Sequence, residues 1–203
     1  MVILCVAVGY FFGCFLTAEA VARFKTGKSA CDIGTKNPGT VSIGGALGFK
    51  YAIVTLLGDI AKTAAACALC RLVLFKPLGG EAVLYAGIGT ALGHGFPFWN
   101  RFRGGRGVAV TCSYIVFFSP VWGIISDICG LIVVMATKYT ALGALIIPAV
   151  FIFPAFIKYG AKAGAAAVCG AAVVFLLNRD SIKRLSEGTE KKARIPSFKI
   201  KRG

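Results

Sequence analysis

The sequence predicts an all-α integral membrane protein, and three observations lead to this fold class. Hydrophobic residues make up 57% of the 203 positions, the mean hydropathy is +0.79, and only 15% of the residues are charged. The apolar residues are gathered in long runs, which is typical of helices that cross a bilayer. Lys and Arg outnumber Asp and Glu by 23 to 8. This composition excludes a disordered chain and a small secreted domain held by disulfides.

Seven apolar runs are candidates for transmembrane helices. A helix needs about 17 to 25 residues to cross roughly 30 Å of hydrocarbon, and fewer where its neighbours shelter it. Pro120 and Gly123 interrupt an apolar run over residues 108–137, so we predict a tight turn there with a helix on each side. The predicted spans are approximately residues 2–22, 51–75, 81–93, 108–118, 121–137, 140–157 and 162–178.

The basic residues predict how these seven spans are oriented. Loops between consecutive spans alternate sides, and cytoplasmic loops are enriched in Lys and Arg. On one side of the membrane the predicted loops and tail contain most of the basic residues: five in residues 23–50, three in residues 93–107, one at Lys138 and nine from Arg179 onward. The other side receives four, and Lys62 lies within a span. We therefore expect a multi-pass protein of the inner (plasma) membrane, with the N-terminus outside and residues 179–203 forming a basic cytoplasmic tail.

Polar residues inside the spans are costly and need an explanation. Asp59 and Lys62 are three residues apart on the second span, so they share a helix face and can form an ion pair. Either the two charges neutralise each other in a purely structural pair, or the pair supports the residues of a neighbouring site. Asp127 stays open between a structural and a site role, and Glu19 is expected at the membrane interface. Seven of the eight cysteines fall in apolar spans, where a thiol packs as a small hydrophobe, and no metal site is predicted.

The first loop, residues 23–50, contains a glycine-rich turn with the sequence Asp-Ile-Gly-Thr-Lys-Asn-Pro-Gly-Thr at residues 32–40. Glycine allows successive backbone N–H groups to converge on an anion, and hydroxyl or amide side chains can complete a phosphate cradle. The candidate phosphate ligands are Thr35, Lys36, Asn37 and Gly39.

The second loop, residues 93–107, combines three arginines with several glycines just before the fourth span. Arginine binds phosphate in a bidentate manner, and adjacent glycines permit close approach of a ligand. A membrane anchor on the cytoplasmic side would explain the charge and the aromatic residues, but not the glycines. Because the Arg-Gly-Gly sequence is not repeated, nucleic acid is not an expected partner. The candidate ligands are Arg101, Arg103, Gly104, Gly105, Arg106 and Gly107.

The two loops and the tail together resemble the three motifs of the bacterial acyl-phosphate:glycerol-3-phosphate acyltransferase family. The matching residues are Asn37 and Gly39 in the first loop, His94, Phe96, Pro97, Gly104, Gly105 and Gly107 in the second, and Arg179, Arg184, Gly188, Thr189 and Glu190 in the tail. The resemblance implies a single membrane-embedded acyltransferase domain over residues 1–203. It further implies transfer of a fatty acyl group from acyl phosphate to the sn-1 hydroxyl of glycerol 3-phosphate, without a cofactor, by a monomer in the bilayer.

The resemblance also divides the candidate residues between the two substrates. It implies that acyl phosphate is bound by Thr35, Lys36, Asn37, Gly39, Arg103, Gly104, Gly105, Arg106 and Gly107. It implies that the acceptor is bound by Lys36, His94, Arg101, Asn178, Ser181 and Glu190, with Asp59 and Lys62 in support. Acyl phosphate is already activated, so positioning and charge stabilisation can suffice. No residue is assigned as a covalent nucleophile or other catalytic group.

Three departures from the family motifs concern the acceptor more than the donor. Gly45 stands where the family carries arginine, Asn178 where it carries histidine, and Ser181 where it carries asparagine. One alternative is therefore an acyltransferase of the same family that uses a different polyol or phosphorylated acceptor. The other is a noncatalytic protein that binds or transports anions or lipid phosphates.

Overall fold

The computed structural model describes residues 1–190 and Lys192, and this part of the chain contains helices and no strand. Residues 191 and 193–203 of the predicted basic tail lie outside the described residues. The α-helices are α1 Val2–Cys14, α2 Thr17–Thr26, α3 Thr40–Leu47, α4 Phe49–Leu69, α5 Glu81–Gly95, α6 Val108–Phe118, α7 Pro120–Thr137, α8 Thr140–Tyr159, α9 Ala161–Leu177 and α10 Arg179–Ser186. A π-helical turn, Cys70–Leu74, continues α4.

Each of the seven predicted spans falls on helical segments, and the first is divided between α1 and α2. Among the described residues, four helical stretches are long and apolar enough to cross a membrane: Val2–Thr26, Phe49–Leu74, Pro120–Thr137 and Thr140–Tyr159. The pair α9 and α10, bent by 63°, makes a fifth if it is counted as one span, and α6 is a shorter apolar helix. The all-helical membrane fold is thus confirmed, while the count of seven spans and the orientation of the termini stay predictions.

The turn predicted near Pro120 is confirmed. Helix α6 ends before Ser119 and α7 begins directly at Pro120, where proline fits the first helical position because its missing N–H needs no partner there. The Gly123 amide donates to the Ser119 carbonyl, and Gly123 lies against the α6 backbone at Val116. The lack of a side chain at this glycine lets the two antiparallel helices pack closely.

Helix α5 lies at the centre of the bundle, and most of its residues are buried. Its closest neighbour is α1, and glycines on both helices form the contact. Gly9 and Gly13 of α1 lie directly against the α5 backbone, and Gly89 and Gly93 of α5 lie against the α1 backbone. Small residues spaced four apart are a common way for membrane helices to approach closely. The short third predicted span is therefore a core helix sheltered by its neighbours.

The first predicted span is broken, which differs from the continuous helix expected over residues 2–22. Phe15 and Leu16 are extended between α1 and α2. A break inside a membrane helix leaves carbonyl groups without intrahelical partners, so other parts of the protein must supply donors. Lys62 of α4 and Trp99 of the second loop supply them, as described below.

Glu19 is buried within the protein, and its place at the membrane interface stays a prediction. It is only 2% exposed. Its carboxylate accepts hydrogen bonds from Arg23 at 2.6 Å, from the Ser29 hydroxyl at 3.0 Å and from the Ala30 amide at 2.8 Å. Burial of the charge is offset by these three donors, and the first loop is tied back onto α2.

Candidate active site

Both loops, the start of α8 and the tail meet at one end of the helix bundle. Gly105 of the second loop lies beside the Pro38 carbonyl of the first loop. The Arg106 carbonyl accepts a hydrogen bond from Asn178 Nδ2 at 3.3 Å, and the Arg106 guanidinium donates to Thr140 Oγ1 at 3.4 Å. Segments that are far apart in the sequence therefore form one site.

The first loop leads into the N-terminus of α3. Gly39 precedes α3, and its amide donates to the Asn37 carbonyl at 2.8 Å. The Thr35 amide donates to Ser42 Oγ at 3.1 Å. Lys36 has a left-handed backbone (φ 60°) and an exposed side chain, whereas Asn37 is half-buried. The turn thus places an exposed cation next to a helix end whose free N–H groups favour anions.

Two glycines of the second loop are required because there is no space for a side chain. A Cβ atom at Gly104 would overlap the carbonyl oxygens of His94 and Gly95. A Cβ atom at Gly105 would overlap His94 Nε2 and the Pro38 carbonyl. The Gly105 amide also donates to the His94 carbonyl at 2.9 Å. The loop is therefore packed tightly against the C-terminal end of α5.

The arginines of the second loop differ in their surroundings. Arg101 has a left-handed backbone (φ 53°), and the side chains of Arg101 and Arg103 are exposed. The Arg103 carbonyl accepts from Asn100 Nδ2 at 2.6 Å, which fixes the backbone while the guanidinium faces outward. Gly107, with φ 72°, precedes α6. Positive φ at Gly107 costs little because glycine has no Cβ atom.

A buried polar cluster lies beneath the second loop. Lys62 Nζ is 2.9 Å from Asp59 Oδ1 and 2.9 Å from His94 Nδ1, so the predicted ion pair is confirmed. Thr17 Oγ1 donates to Asp59 Oδ1 at 3.2 Å. All four residues are less than 10% exposed. His94, predicted from the resemblance to bind the acceptor, is thus held from inside by Lys62 and lies directly under Gly105.

The break between α1 and α2 is closed by donors from this region. Lys62 Nζ donates to the Phe15 carbonyl at 2.7 Å and to the Gly13 carbonyl at 3.3 Å. Trp99 Nε1 donates to the Cys14 carbonyl at 2.7 Å. Three successive carbonyls freed by the break therefore receive hydrogen bonds from the protein itself.

The tail forms a second charged cluster with Arg106. The Glu190 carboxylate lies 3.5 Å from Arg106 Nη2 and 2.5 Å from Arg184 Nε. Arg184 Nη2 also donates to Ser181 Oγ at 2.9 Å. Burial lowers the pKa of the Arg106 guanidinium, and the Glu190 charge opposes this shift. Both Glu190 oxygens contact arginine, so this predicted acceptor ligand connects the tail to the second loop.

Asn178 is buried at the junction of α9 and α10. Its Nδ2 donates to the Val174 carbonyl at 2.9 Å as well as to Arg106. Its Oδ1 is also buried. Asn178 therefore holds the second loop against the tail through its amide nitrogen.

Three contributors to this region were missed by reasoning from the sequence: Thr17, Trp99 and Thr140. Trp99 is one of the aromatic residues that a membrane anchor would explain, but its indole N–H donates to the Cys14 carbonyl inside the protein. Thr17 lies within the first predicted span, and Thr140 is the first residue of the sixth. Nothing local in the sequence indicates that these side chains contact Asp59 and Arg106.

The fold and the site together define a class: a helical membrane protein with anion-binding loops and a charged tail gathered at one end of an apolar bundle. A family model described as "Glycerol-3-phosphate acyltransferase" matches residues 3–188. The chain belongs to this family of acyltransferases, as the three motifs implied. Membership favours an enzyme over the transport alternative.

Individual relatives agree with this assignment. The chain is 40% identical over 158 residues to glycerol-3-phosphate acyltransferase 1 of Lactobacillus johnsonii, covering 77% of this chain and 75% of the relative. It is 32% identical to the glycerol-3-phosphate acyltransferase of Alkaliphilus metalliredigens, covering 90% and 91%. The fold is similar to a crystal structure of PlsY, an integral membrane glycerol 3-phosphate acyltransferase, in its glycerol 3-phosphate form. The TM-score is 0.82 at 24% identity, with 94% of each chain covered.

Proposed function

We propose that this protein transfers a fatty acyl group from acyl phosphate to the sn-1 hydroxyl of glycerol 3-phosphate, yielding lysophosphatidic acid and inorganic phosphate. The observation that carries the proposal is the meeting of both phosphate-suited loops and the Arg106 cluster at one end of the bundle. The excess of basic residues in the same segments supports a cytoplasmic location for this end in the inner (plasma) membrane. The seven-span arrangement with the N-terminus outside belongs to this proposal.

The phosphate of the donor is proposed to lie between the two loops. The N-terminus of α3 and the turn before it provide amide donors, and the exposed Arg103 provides a cation. The residues proposed for the donor are Thr35, Lys36, Asn37, Gly39, Arg103, Gly104, Gly105, Arg106 and Gly107. Among them, Gly104 and Gly105 act by allowing close packing of the backbone.

The acceptor phosphate is proposed to contact the exposed cations Lys36 and Arg101. The other residues implied for the acceptor are proposed to form the wall of the site, because each has at least one polar atom bonded within the protein. These wall residues are His94, Asn178, Ser181 and Glu190. Asp59 and Lys62 support the wall from beneath.

A groove between α1 and α4 is proposed to hold the acyl chain. It has a volume of about 520 Å³ and is lined by Phe11, Phe12, Phe15, Ala61, Lys62 and Ala65. Phe11 and Phe15 are more than half exposed, which suits a groove entered sideways from the bilayer. Lys62 joins the groove to His94 and hence to the second loop. An apolar chain in this groove would place its acyl phosphate head toward the loops.

The chemistry needs no covalent enzyme intermediate. The acceptor hydroxyl attacks the acyl carbonyl, the C–O bond to phosphate breaks, and the departing phosphate can take the hydroxyl proton. The protein's contribution is to align the two substrates and to stabilise negative charge on the intermediate and the leaving group.

The test uses purified protein in detergent or lipid with palmitoyl phosphate and glycerol 3-phosphate. Inorganic phosphate and lysophosphatidic acid are measured together. Formation of both products, dependent on the acceptor, is the expected result. Absence of both products, in protein with its helical content intact, would refute the proposed function.

A different acceptor is the second candidate, and the surroundings of Gly45 favour testing it. No atom lies within 4 Å of a Cβ atom built at Gly45, so the arginine that the family carries at this position could be accommodated. Phosphate release without lysophosphatidic acid would indicate an intact donor site and direct the search to other polyols. We expect Gly45→Arg with Asn178→His to raise turnover of glycerol 3-phosphate if its contacts are incomplete here.

A further inference from the structure

The Asp59–Lys62 pair lies at the break between α1 and α2, and each charge faces the helix end that favours it. Lys62 donates to the carbonyls of Gly13 and Phe15 at the C-terminal end of α1. Asp59 accepts from Thr17, the first residue of α2. Cations are stabilised near helix C-termini and anions near helix N-termini. The pair is therefore oriented by the break as well as by mutual attraction.

Lys62 also determines which nitrogen of His94 can carry a proton. As the ammonium partner of Asp59, Lys62 has three N–H donors and no acceptor, and four acceptor atoms lie around its Nζ: the Phe15 carbonyl at 2.7 Å, Asp59 Oδ1 and His94 Nδ1 at 2.9 Å, and the Gly13 carbonyl at 3.3 Å. The Gly13 contact is the longest and shares a donor with a nearer atom, so in this arrangement His94 Nδ1 accepts a hydrogen bond from Lys62. A neutral imidazole that accepts at Nδ1 carries its proton at Nε2. Asp59 Oδ1 lies 2.9 Å from Lys62 Nζ and 3.7 Å from His94 Nδ1. The second distance is too long for a hydrogen bond, so Lys62 and not Asp59 is the partner of His94 Nδ1.

His94 Nε2 faces the point where the two loops meet. A Cβ atom at Gly105 would overlap both this nitrogen and the Pro38 carbonyl, so all three lie within a few ångströms of one another. We propose that Lys62 is a positioning residue that holds His94 in the Nε2–H form, so that the imidazole presents a hydrogen-bond donor to the loop junction. The catalytic consequence rests on the proposed function: His94 donates to the loops or to substrate oxygen there, and does not act as a base.

The first experiment reads the protonation of His94 directly. His94 is the only histidine in the chain, so uniform labelling with [¹⁵N]histidine gives signals from this one imidazole. A long-range ¹H–¹⁵N correlation spectrum of the untagged protein in detergent micelles distinguishes the two nitrogens. The expected result is a protonated Nε2 and an unprotonated Nδ1. A protonated Nδ1, alone or together with Nε2, would overturn the proposal.

Variants then connect the tautomer to Lys62. In Lys62→Met we expect the Nδ1 signal to move and the single Nε2–H form to be lost, while Lys50→Met, an exposed lysine, keeps the wild-type spectrum. An unchanged His94 spectrum in Lys62→Met would overturn the role of Lys62. If Lys62→Met does not fold, the spectrum of the wild-type protein still decides the tautomer.

Replacement of His94 itself provides an activity readout. Glutamine can place a donor near the position of Nε2, whereas asparagine reaches only the position of Nδ1. We expect His94→Gln to retain at least about tenfold more turnover than His94→Asn, a difference of about 1.4 kcal/mol. Equal or reversed activities would contradict the proposal. An inactive wild-type protein that shows the expected spectrum would refute the proposed function and leave the tautomer assignment standing.

Discussion

The cations of this site fall into two groups with opposite surroundings. Lys62 and Arg106 are largely buried and contact acceptors of the protein itself. Lys36, Arg101 and Arg103 are exposed on the loops above. The buried group builds the site, because its hydrogen bonds hold the helix break, His94 and the tail in place. The exposed group is more available than Arg106 to a phosphorylated ligand, because its side chains face outward, whereas Lys62 and Arg106 already face Asp59 and Glu190.

The largest effect is expected from breaking the buried group. Lys62→Met leaves Asp59 as an uncompensated buried charge and removes donors from the Phe15 and Gly13 carbonyls. Removing one partner of a buried ion pair costs about 3–5 kcal/mol. We expect a lower Tm in detergent, measured by intrinsic tryptophan fluorescence during heating. The exposed Lys50→Met is the control and should stay within about 0.5 kcal/mol of the wild type.

A charge swap sharpens this prediction. Asp59→Lys with Lys62→Asp keeps an ion pair but turns each charge toward the wrong helix end. If orientation at the break matters, the double variant stays well below the wild-type Tm. Full recovery of Tm in the swap would mean that the pair acts only by mutual neutralisation.

The next largest effect is expected where the buried group supports the loops. Gly105→Ala introduces a Cβ atom into the space between His94 and the Pro38 carbonyl, so the second loop must shift. Misplacement of a catalytic loop by about 1 Å can cost on the order of 10²-fold in rate. We expect kcat/KM to decrease by about this factor, while the helical content, measured by circular dichroism, stays the same. Gly80→Ala is the matched control, since its Cβ atom would make only an ordinary contact with Phe118.

These comparisons show which features could be read from the sequence. The positions of the apolar helices, the turn at Pro120 and the Asp59–Lys62 pair depend on neighbouring residues, so apolar runs and helical spacing sufficed to predict them. The motifs of both loops also lie within short segments, and the family resemblance followed from their residues. Local patterns therefore gave the fold class and the candidate ligands.

The break in the first span could not be predicted, because its donors come from distant parts of the chain. Residues 13–16 are apolar or small and give no sign of a helix end. The lysine that caps the Phe15 carbonyl is 47 residues away, and the tryptophan that caps Cys14 is 85 residues away. The contact of Lys62 with His94 likewise depends on how α4 packs against α5. Such contacts become visible only in three dimensions.

A smaller effect is expected from the exposed group, and it should appear in activity without a change in stability. Arg103→Met removes an exposed guanidinium and leaves the backbone bonds to Asn100 intact. Loss of a charge-assisted contact to phosphate costs about 1.5–3 kcal/mol, which corresponds to about ten- to hundredfold in kcat/KM. Lys183→Met, on the exposed face of α10, is the control. Full turnover in Arg103→Met would count against a role in phosphate binding.

The smallest effect is expected at Glu190, the carboxylate that connects the largely buried Arg106 to the more exposed Arg184. Glu190→Gln keeps a hydrogen-bond acceptor but removes the charge that both arginines face. Because Arg184 is 41% exposed, solvent screens much of its attraction, and the loss should be about 0.5–1 kcal/mol. We expect a small decrease in Tm and an increase of a few-fold in KM for glycerol 3-phosphate, with kcat nearly unchanged. A decrease in kcat of more than about tenfold would instead indicate that the Glu190 carboxylate contacts the acceptor directly, as the motif resemblance implied. A contact that only holds the tail in place cannot stabilise the transition state to that extent.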